Sequence, residues 1–207
     1  MFDFGNARGF IFDCDGTLLD TLDAWSEAER ELFEQAGSLT EEQETQIHAA
    51  PIERAAEILH DSFGVGDSAK AVLAHLDNYL LPYYGEVSEP MCGSVEFVRK
   101  AHALGIPCVV VSSSPRRYLE AGLSRAGILE CFAELVTTDE IGCSKQEPGI
   151  YEAAVNILRA DPDAVWAIDD APYAIRAMHD FGLRTICVGD RSSDVADINI
   201  ASLELLL

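Results

Sequence analysis

The chain has 207 residues, 48% hydrophobic and 24% charged, ordinary globular values that argue against disorder and against collagen-like or repeat architectures. Fourteen Lys and Arg stand against 36 Asp and Glu, a formal charge of −22 that repels polyanions and anionic membrane surfaces. The expected partner is therefore a small molecule rather than a nucleic acid or a membrane.

In chain order, the first element is a short apolar strand at Gly9–Phe12. From about residue 20 to residue 84 no strand is predicted. Three helical faces appear there instead: Leu22, Trp25, Ala28, Glu29 and Leu32; then Ile52, Ala55, Ala56, Ile58 and Leu59, opened by Pro51; then Val72, Leu73, Leu76, Tyr79 and Leu80. The alternation resumes near residues 86–90. A helix through Val95, Val98, Ala101 and His102 stops at Gly105, and a strand follows at 106–111. Next come a helix at 118–126, a weaker strand at Glu134–Thr137, a helix at 150–158, a strand at 165–168, a helix at 175–181 and a strand at 185–188. Continuous apolar strands alternating with helices predict an α/β, doubly wound parallel sheet. The expected division is a core of residues 1–19 and 85–207 with an all-helical insertion at 20–84.

No uninterrupted apolar run approaches the roughly 20 residues needed to span a bilayer, and the start of the chain lacks a basic region followed by an apolar one. The six cysteines form no CxxC pair and lie mostly in apolar surroundings, as small buried hydrophobes do. A cytoplasmic location in a reducing compartment is expected.

Four clusters carry candidate chemistry. Asp13-Cys14-Asp15-Gly16-Thr17 follows the first strand, and two carboxylates two residues apart there suit a nucleophile or metal ligand beside an acid/base. A solvated, capped turn would use the same residues. Ser112, Ser113 and Ser114 end a strand before a helix, where hydroxyls and free N–H groups either cap the helix or bind phosphate. Arg116 and Arg117 read as solvated. Lys145 is a loop lysine that, in an anion site, acts as a compensating point charge. Asp169-Asp170 follows another buried strand; a hard cation such as Mg²⁺ relieves their repulsion, unless Asp170 merely caps the next helix. All four fall at one sheet edge, where α/β folds bind ligands. Together they point to Mg²⁺-dependent phosphoryl transfer.

With those residues in view, the chain resembles the haloacid dehalogenase-like superfamily, in its phosphatase and β-phosphoglucomutase branch with a helical C1 cap. Residues 13–21, Asp-Cys-Asp-Gly-Thr-Leu-Leu-Asp-Thr, are similar to its first motif, Ser112 to the second, Lys145 to the third and Asp169-Asp170 to the fourth. The resemblance covers about Gly9 to Gly189. It implies a Rossmann-like core, Asp13 as a nucleophile forming an aspartyl-phosphate, and Asp15 as the acid and then the base. It further implies Ser112, Ser113 and Lys145 on the phosphate, and Mg²⁺ held by Asp13, the Asp15 main-chain carbonyl and Asp170, with Asp169 acting through water. The chain departs from the pattern at Gln146-Glu147-Pro148-Gly149, which lacks the usual Asp of that loop, and at Ala171 and Ala174.

The family includes mutases as well as phosphatases, and the cap composition separates the two. Between residues 21 and 82 three basic residues face thirteen acidic ones, a poor lid for a bisphosphorylated intermediate. Hydrolysis of a small phosphate monoester is the expectation, with a β-phosphoglucomutase-like mutase as the alternative. A phosphoacceptor signalling module or an inactive scaffold is the non-enzymatic alternative. A cap loop around His48 to Arg54, with His48, Glu53 and Arg54 as specificity candidates, is expected to dip toward the site, with hinges near residues 19–21 and 82–85. A monomer or weak homodimer is expected.

Overall fold

The computed structural model describes residues 2–207, residue 49 by its backbone alone. Strand β1, Gly9–Phe12, forms where Phe10, Ile11 and Phe12 are all fully buried, each contributing about 1.5–3 kcal/mol of burial. The strands that pair with it in parallel are β4 (Cys108–Ser112) and β6 (Val165–Asp169). Outside these lie β5 (Glu134–Thr137) and β7 (Arg184–Val188), then β8 (Ile198–Ile200), giving the order β5-β4-β1-β6-β7-β8. Every pairing in this sheet is parallel.

Alternation along β1 and β4 builds two apolar layers. Phe10, Phe12, Cys108 and Val110 pack on α5 (Ser94–Ala103) and α6 (Arg116–Arg125). Ile11, Val109 and Val111 pack on α8 (Pro148–Leu158) and α9 (Pro172–Phe181). Burial on both faces is why these strands read as continuous apolar runs. The predicted strand at 106–111 is shifted: Ile106 and Pro107 lie outside β4, which runs on to Ser112. The sixth strand, β8, was not predicted. Its Ile-Asn-Ile pattern is only half buried, as befits an edge.

Between residues 20 and 84 the structure has four helices rather than three: α1 (Leu22–Ala36), α2 (Glu41–Ala49), α3 (Ile52–Phe63) and α4 (Ala69–Pro82). Helix α2 carries little apolar patterning, since of its described side chains only Ile47 is buried. A capping box holds its start: Thr40 accepts from the Gln43 N–H at 3.3 Å, and the Gln43 side chain accepts from the Thr40 N–H at 2.8 Å. The cap loop expected at His48 to Arg54 is correspondingly corrected. Only residues 50 and 51 lie between α2 and α3; His48 is in α2, and Glu53 and Arg54 are in α3.

The chain enters and leaves this helical segment through two short strands, β2 (Leu19–Asp20) and β3 (Glu89–Pro90), paired antiparallel with Leu19 opposite Pro90. Asp20 is thus in a strand, where none was predicted. After α4 the helix widens into one π-helical turn at Tyr83–Val87. That turn packs on α6, where Gly122 is required: a Cβ there would lie 2.5 Å from Leu19 and 3.0 Å from Tyr84. Among the described residues no helix is long and apolar enough to cross a membrane. All six cysteines are free.

Candidate active site

Three adjacent strands end together, and the site is built on those ends. Asp13 follows β1 directly, Ser112 ends β4 on one side, and Asp169 ends β6 on the other. Gly16, at φ +78°, turns the chain sharply after Asp15, and its backbone N–H donates to the Leu19 carbonyl at 2.8 Å.

Lys145 reaches this edge from the loop before α8 and is 4% exposed. Its Nζ donates to Asp13 Oδ1 and, at 2.9 Å, to Asp169 Oδ2. The loop that lacks the family's usual Asp is ordered by other groups. Glu147 Oε2 accepts from the Ser144 N–H at 2.8 Å and its hydroxyl at 3.1 Å, and the Tyr151 hydroxyl donates to the Lys145 carbonyl at 2.5 Å.

Carboxylate oxygens of Asp13, Asp169 and Asp170 lie within 4.8 Å of one another. Burial raises the Asp13 carboxyl well above the carboxylate range; Lys145 opposes this, while Asp169, Asp170 and Asp15 add to it. Burial, followed by the Asp169 charge, pushes Asp170 up to about 7. Burial also works against the Lys145 charge, but Asp13 and Asp169 override it and hold the ammonium protonated. Several carboxylates thus compete for one buried ammonium. Oxygen ligands this closely spaced, with this excess of negative charge, fit a hard divalent cation. A buried hydroxyl at the same edge is also available to a ligand: Ser113 Oγ lines the cavity with no hydrogen-bond partner among the described residues.

Asp169 does more than was expected of it. Its Oδ1 accepts from the Ala171 N–H at 2.8 Å while its Oδ2 holds Lys145. Asp170 does not cap α9, whose N-cap is Ala171, with no side-chain capping bond. The Asp15 carboxylate lies outside the cluster formed by Asp13, Asp169 and Asp170. Its Oδ1 accepts from the hydroxyls of Thr21, at 2.6 Å, and Tyr84; its Oδ2 accepts from Ser114, at 2.6 Å, and Ser112, at 3.4 Å. Tyr84 is itself held by Trp25, whose Nε1–H donates to the phenol oxygen at 2.7 Å. Ser112 is engaged twice, because its oxygen also accepts from the Ser114 N–H at 3.0 Å.

A cavity of about 290 Å³ opens above these groups. Its floor includes Asp13, Asp15, Ser112, Ser113, Lys145, Asp169 and Asp170, and helices α1 to α4 supply its opposite wall. Of the three cap candidates, His48 lines this cavity. Glu53 and Arg54 do not: Arg54 pairs with Glu57 at 2.8 Å, and Glu53 faces Asp139 of the core. Arg116 and Arg117, read as solvated, lie partly exposed outside the cavity and take part in surface ion pairs, Arg116 with Glu140 at 2.6 Å and Arg117 with Asp77 of α4 at 2.5 Å.

Trp25, Glu29, Tyr84 and Arg191 also belong to the site, and the sequence did not mark them as such; Thr21 and Ser114, quoted within the first motif and the serine cluster, are there too. Tyr84 is 69 residues from the carboxylate it binds and carries no local signal. Arg191 had one: it follows β7, and every strand end on this edge was a candidate position.

A family model of haloacid dehalogenase-like hydrolases matches residues 7–182. The chain belongs to that family. Among its relatives is the validoxylamine A 7'-phosphate phosphatase of Streptomyces hygroscopicus subsp. limoneus, 26% identical over 197 residues, covering 95% of this chain and 91% of the relative. The phosphorylated carbohydrates phosphatase of Thermotoga maritima is 25% identical over 177 residues, 85% of this chain and 82% of the relative. In fold, the chain is similar to the β-phosphoglucomutase of Clostridium difficile, with a TM-score of 0.79, 20% identity and coverage of 97% and 93% of the two chains. CbbY from Rhodobacter sphaeroides in complex with phosphate gives 0.78, 24% identity and 95% of each chain. The protein described here is a haloacid dehalogenase-like hydrolase with phosphatases among its relatives.

Proposed function

We propose that the protein hydrolyses a small phosphate monoester, using Mg²⁺ and an aspartyl-phosphate on Asp13. The observation that carries this reading is the convergence of Asp13, Asp169 and Asp170 on one point with Lys145 among them. Asp13, Asp170 and the Asp15 main-chain carbonyl would hold the ion, with Asp169 beside them. When bound, it neutralises phosphate charge and keeps the Asp13 carboxylate ionised for attack.

The Asp13 carboxylate, freed from its share of Lys145, attacks phosphorus. Lys145 and the Ser113 hydroxyl take charge on the phosphoryl oxygens, which Ser112 borders. Asp15, two residues on, protonates the leaving oxygen and then takes a proton from the attacking water. The helical segment acts as a cap, with the β2–β3 pair and the π turn as its hinge, excluding bulk water while the acyl phosphate exists. Hydrolysis is favoured over mutase chemistry because, among the described residues, the cap wall of the cavity has no Lys or Arg to hold a second phosphate.

The test is phosphate release from 4-nitrophenyl phosphate with and without Mg²⁺. Release that depends on Mg²⁺ is expected. Equal rates after exhaustive chelation would rule out the metal role, and no release from this or a broad monoester panel would favour a non-enzymatic scaffold.

A further inference from the structure

The cap side of the cavity is chemically lopsided. Most of it is apolar, from Leu22, Trp25, Ile47, Ile52, Leu59 and Leu76. The Trp25 indole is fixed, because its N–H is committed to Tyr84. The polar groups on this wall are Ser26, Glu29 and His48. The Glu29 side chain is 13% exposed, and its Oε2 lies 3.1 Å from His48 Nε2. Its other oxygen, Oε1, has no hydrogen-bond partner among the described residues. That oxygen is left free to accept a hydrogen bond from a ligand in the cavity.

The lysine and arginine of the cavity lie elsewhere. Lys145 is committed to Asp13 and Asp169 on the floor, and Arg191 approaches from the loop after β7 on the core side. A second phosphate or a carboxylate placed against the cap wall would meet Glu29, and the one cap-borne cation there, the His48 imidazole that Glu29 holds toward its protonated form, is already engaged by Glu29 Oε2.

We propose that Glu29 determines specificity: the site takes monophosphates whose organic half is uncharged or cationic, packs on Trp25, and donates an O–H or N–H to Glu29 Oε1. Hydroxylated or amine-bearing ring phosphates are the chemical class this describes. Esters carrying a carboxylate or second phosphate at that end are rejected. This rests on the phosphomonoesterase reading and narrows it.

Two six-carbon esters form the test: glucosamine 6-phosphate, with hydroxyls and an ammonium, and 6-phosphogluconate, with a carboxylate. Wild-type kcat/KM is expected to favour glucosamine 6-phosphate at least tenfold, on the order of what one unmatched buried polar group contributes to discrimination. In Glu29→Gln, KM for glucosamine 6-phosphate rises about tenfold with a smaller change in kcat, and the discrimination between the two esters narrows. A parallel calorimetric titration of both esters into Asp13→Asn protein with Mg²⁺ reads the same preference without turnover. If no ester is hydrolysed yet the binding preference holds, the reaction assignment fails and the Glu29 assignment stands. A wild-type preference for 6-phosphogluconate in kinetics or binding overturns it. So does an unchanged ester ratio in Glu29→Gln; should that variant not fold, the wild-type comparison alone decides.

Discussion

The Tyr84 hydroxyl, fully buried on the turn that follows the helical segment, donates to Asp15 Oδ1 while accepting from Trp25. It thereby ties the proposed acid/base to a cavity-lining residue of the cap. The Tyr84 ring also stacks on Tyr118 at 5.3 Å, so Tyr84→Phe removes the hydroxyl and keeps the packing. Tyr84→Phe should lower kcat about tenfold for alkyl phosphates, whose leaving oxygen needs a well-placed acid. For 4-nitrophenyl phosphate, whose leaving group needs little protonation, the loss should be much smaller. Equal losses on both substrates would assign Tyr84 a purely structural role.

Asp170 is placed for a cation and is costly without one. Asp170→Asn removes a partly buried like charge beside Asp169, so metal-free protein at pH 8 should become more stable. A gain of about 1 kcal/mol would raise Tm by about 2–4 °C in a chain of this size. The same variant should lose the thermal stabilisation that Mg²⁺ gives the wild type. Thermal unfolding with and without Mg²⁺ reads both effects, and an undiminished Mg²⁺ shift in Asp170→Asn would contradict the ligand assignment.

A second acidic contact joins the helical segment to the core. Asp139, in α7 (Thr138–Ile141), accepts from the Ile52 N–H at 3.1 Å. Burial, followed by the Glu53 carboxyl, pushes it up to about 7 from 3.8. Between those values the folded chain holds a proton that the unfolded chain has released. Stability therefore falls as pH rises through that window and levels off above it. Asp139→Asn keeps the acceptor for Ile52 and removes the titration, so its urea midpoint should depend less on pH between 4 and 7 than that of the wild type. Parallel curves for the two proteins would show that Asp139 does not titrate in this way.

How much of this was legible depends on how local each signal was. The site carboxylates, Ser112 and Lys145 could be read because each follows a strand or precedes a helix, and parallel strands bring those points to one edge. Continuous apolar burial made β1, β4, β6 and β7 visible, whereas β8, half buried at the edge, was not. Helix α2 was missed because it presents almost no apolar face, although Thr40 and Gln43 spelled its capping box. One partner of Asp15 was beyond local reach: Tyr84 comes to it from 69 residues away. The placement of the cap candidates was non-local in the same way. Which of His48, Glu53 and Arg54 faces the cavity depends on how α2 and α3 are oriented, and only His48 does.

The proposed nucleophile is open to direct chemical capture. Wild-type protein mixed with Mg²⁺ and substrate, quenched in acid during turnover and digested, should yield the peptide containing Asp13 with one added phosphoryl group. Asp13→Asn, folded as judged by circular dichroism, should yield none and should release phosphate at least about a thousandfold more slowly, the scale of loss when a nucleophile is removed. Near-wild-type turnover by Asp13→Asn, or a phosphoryl group trapped on a different residue, would contradict the account.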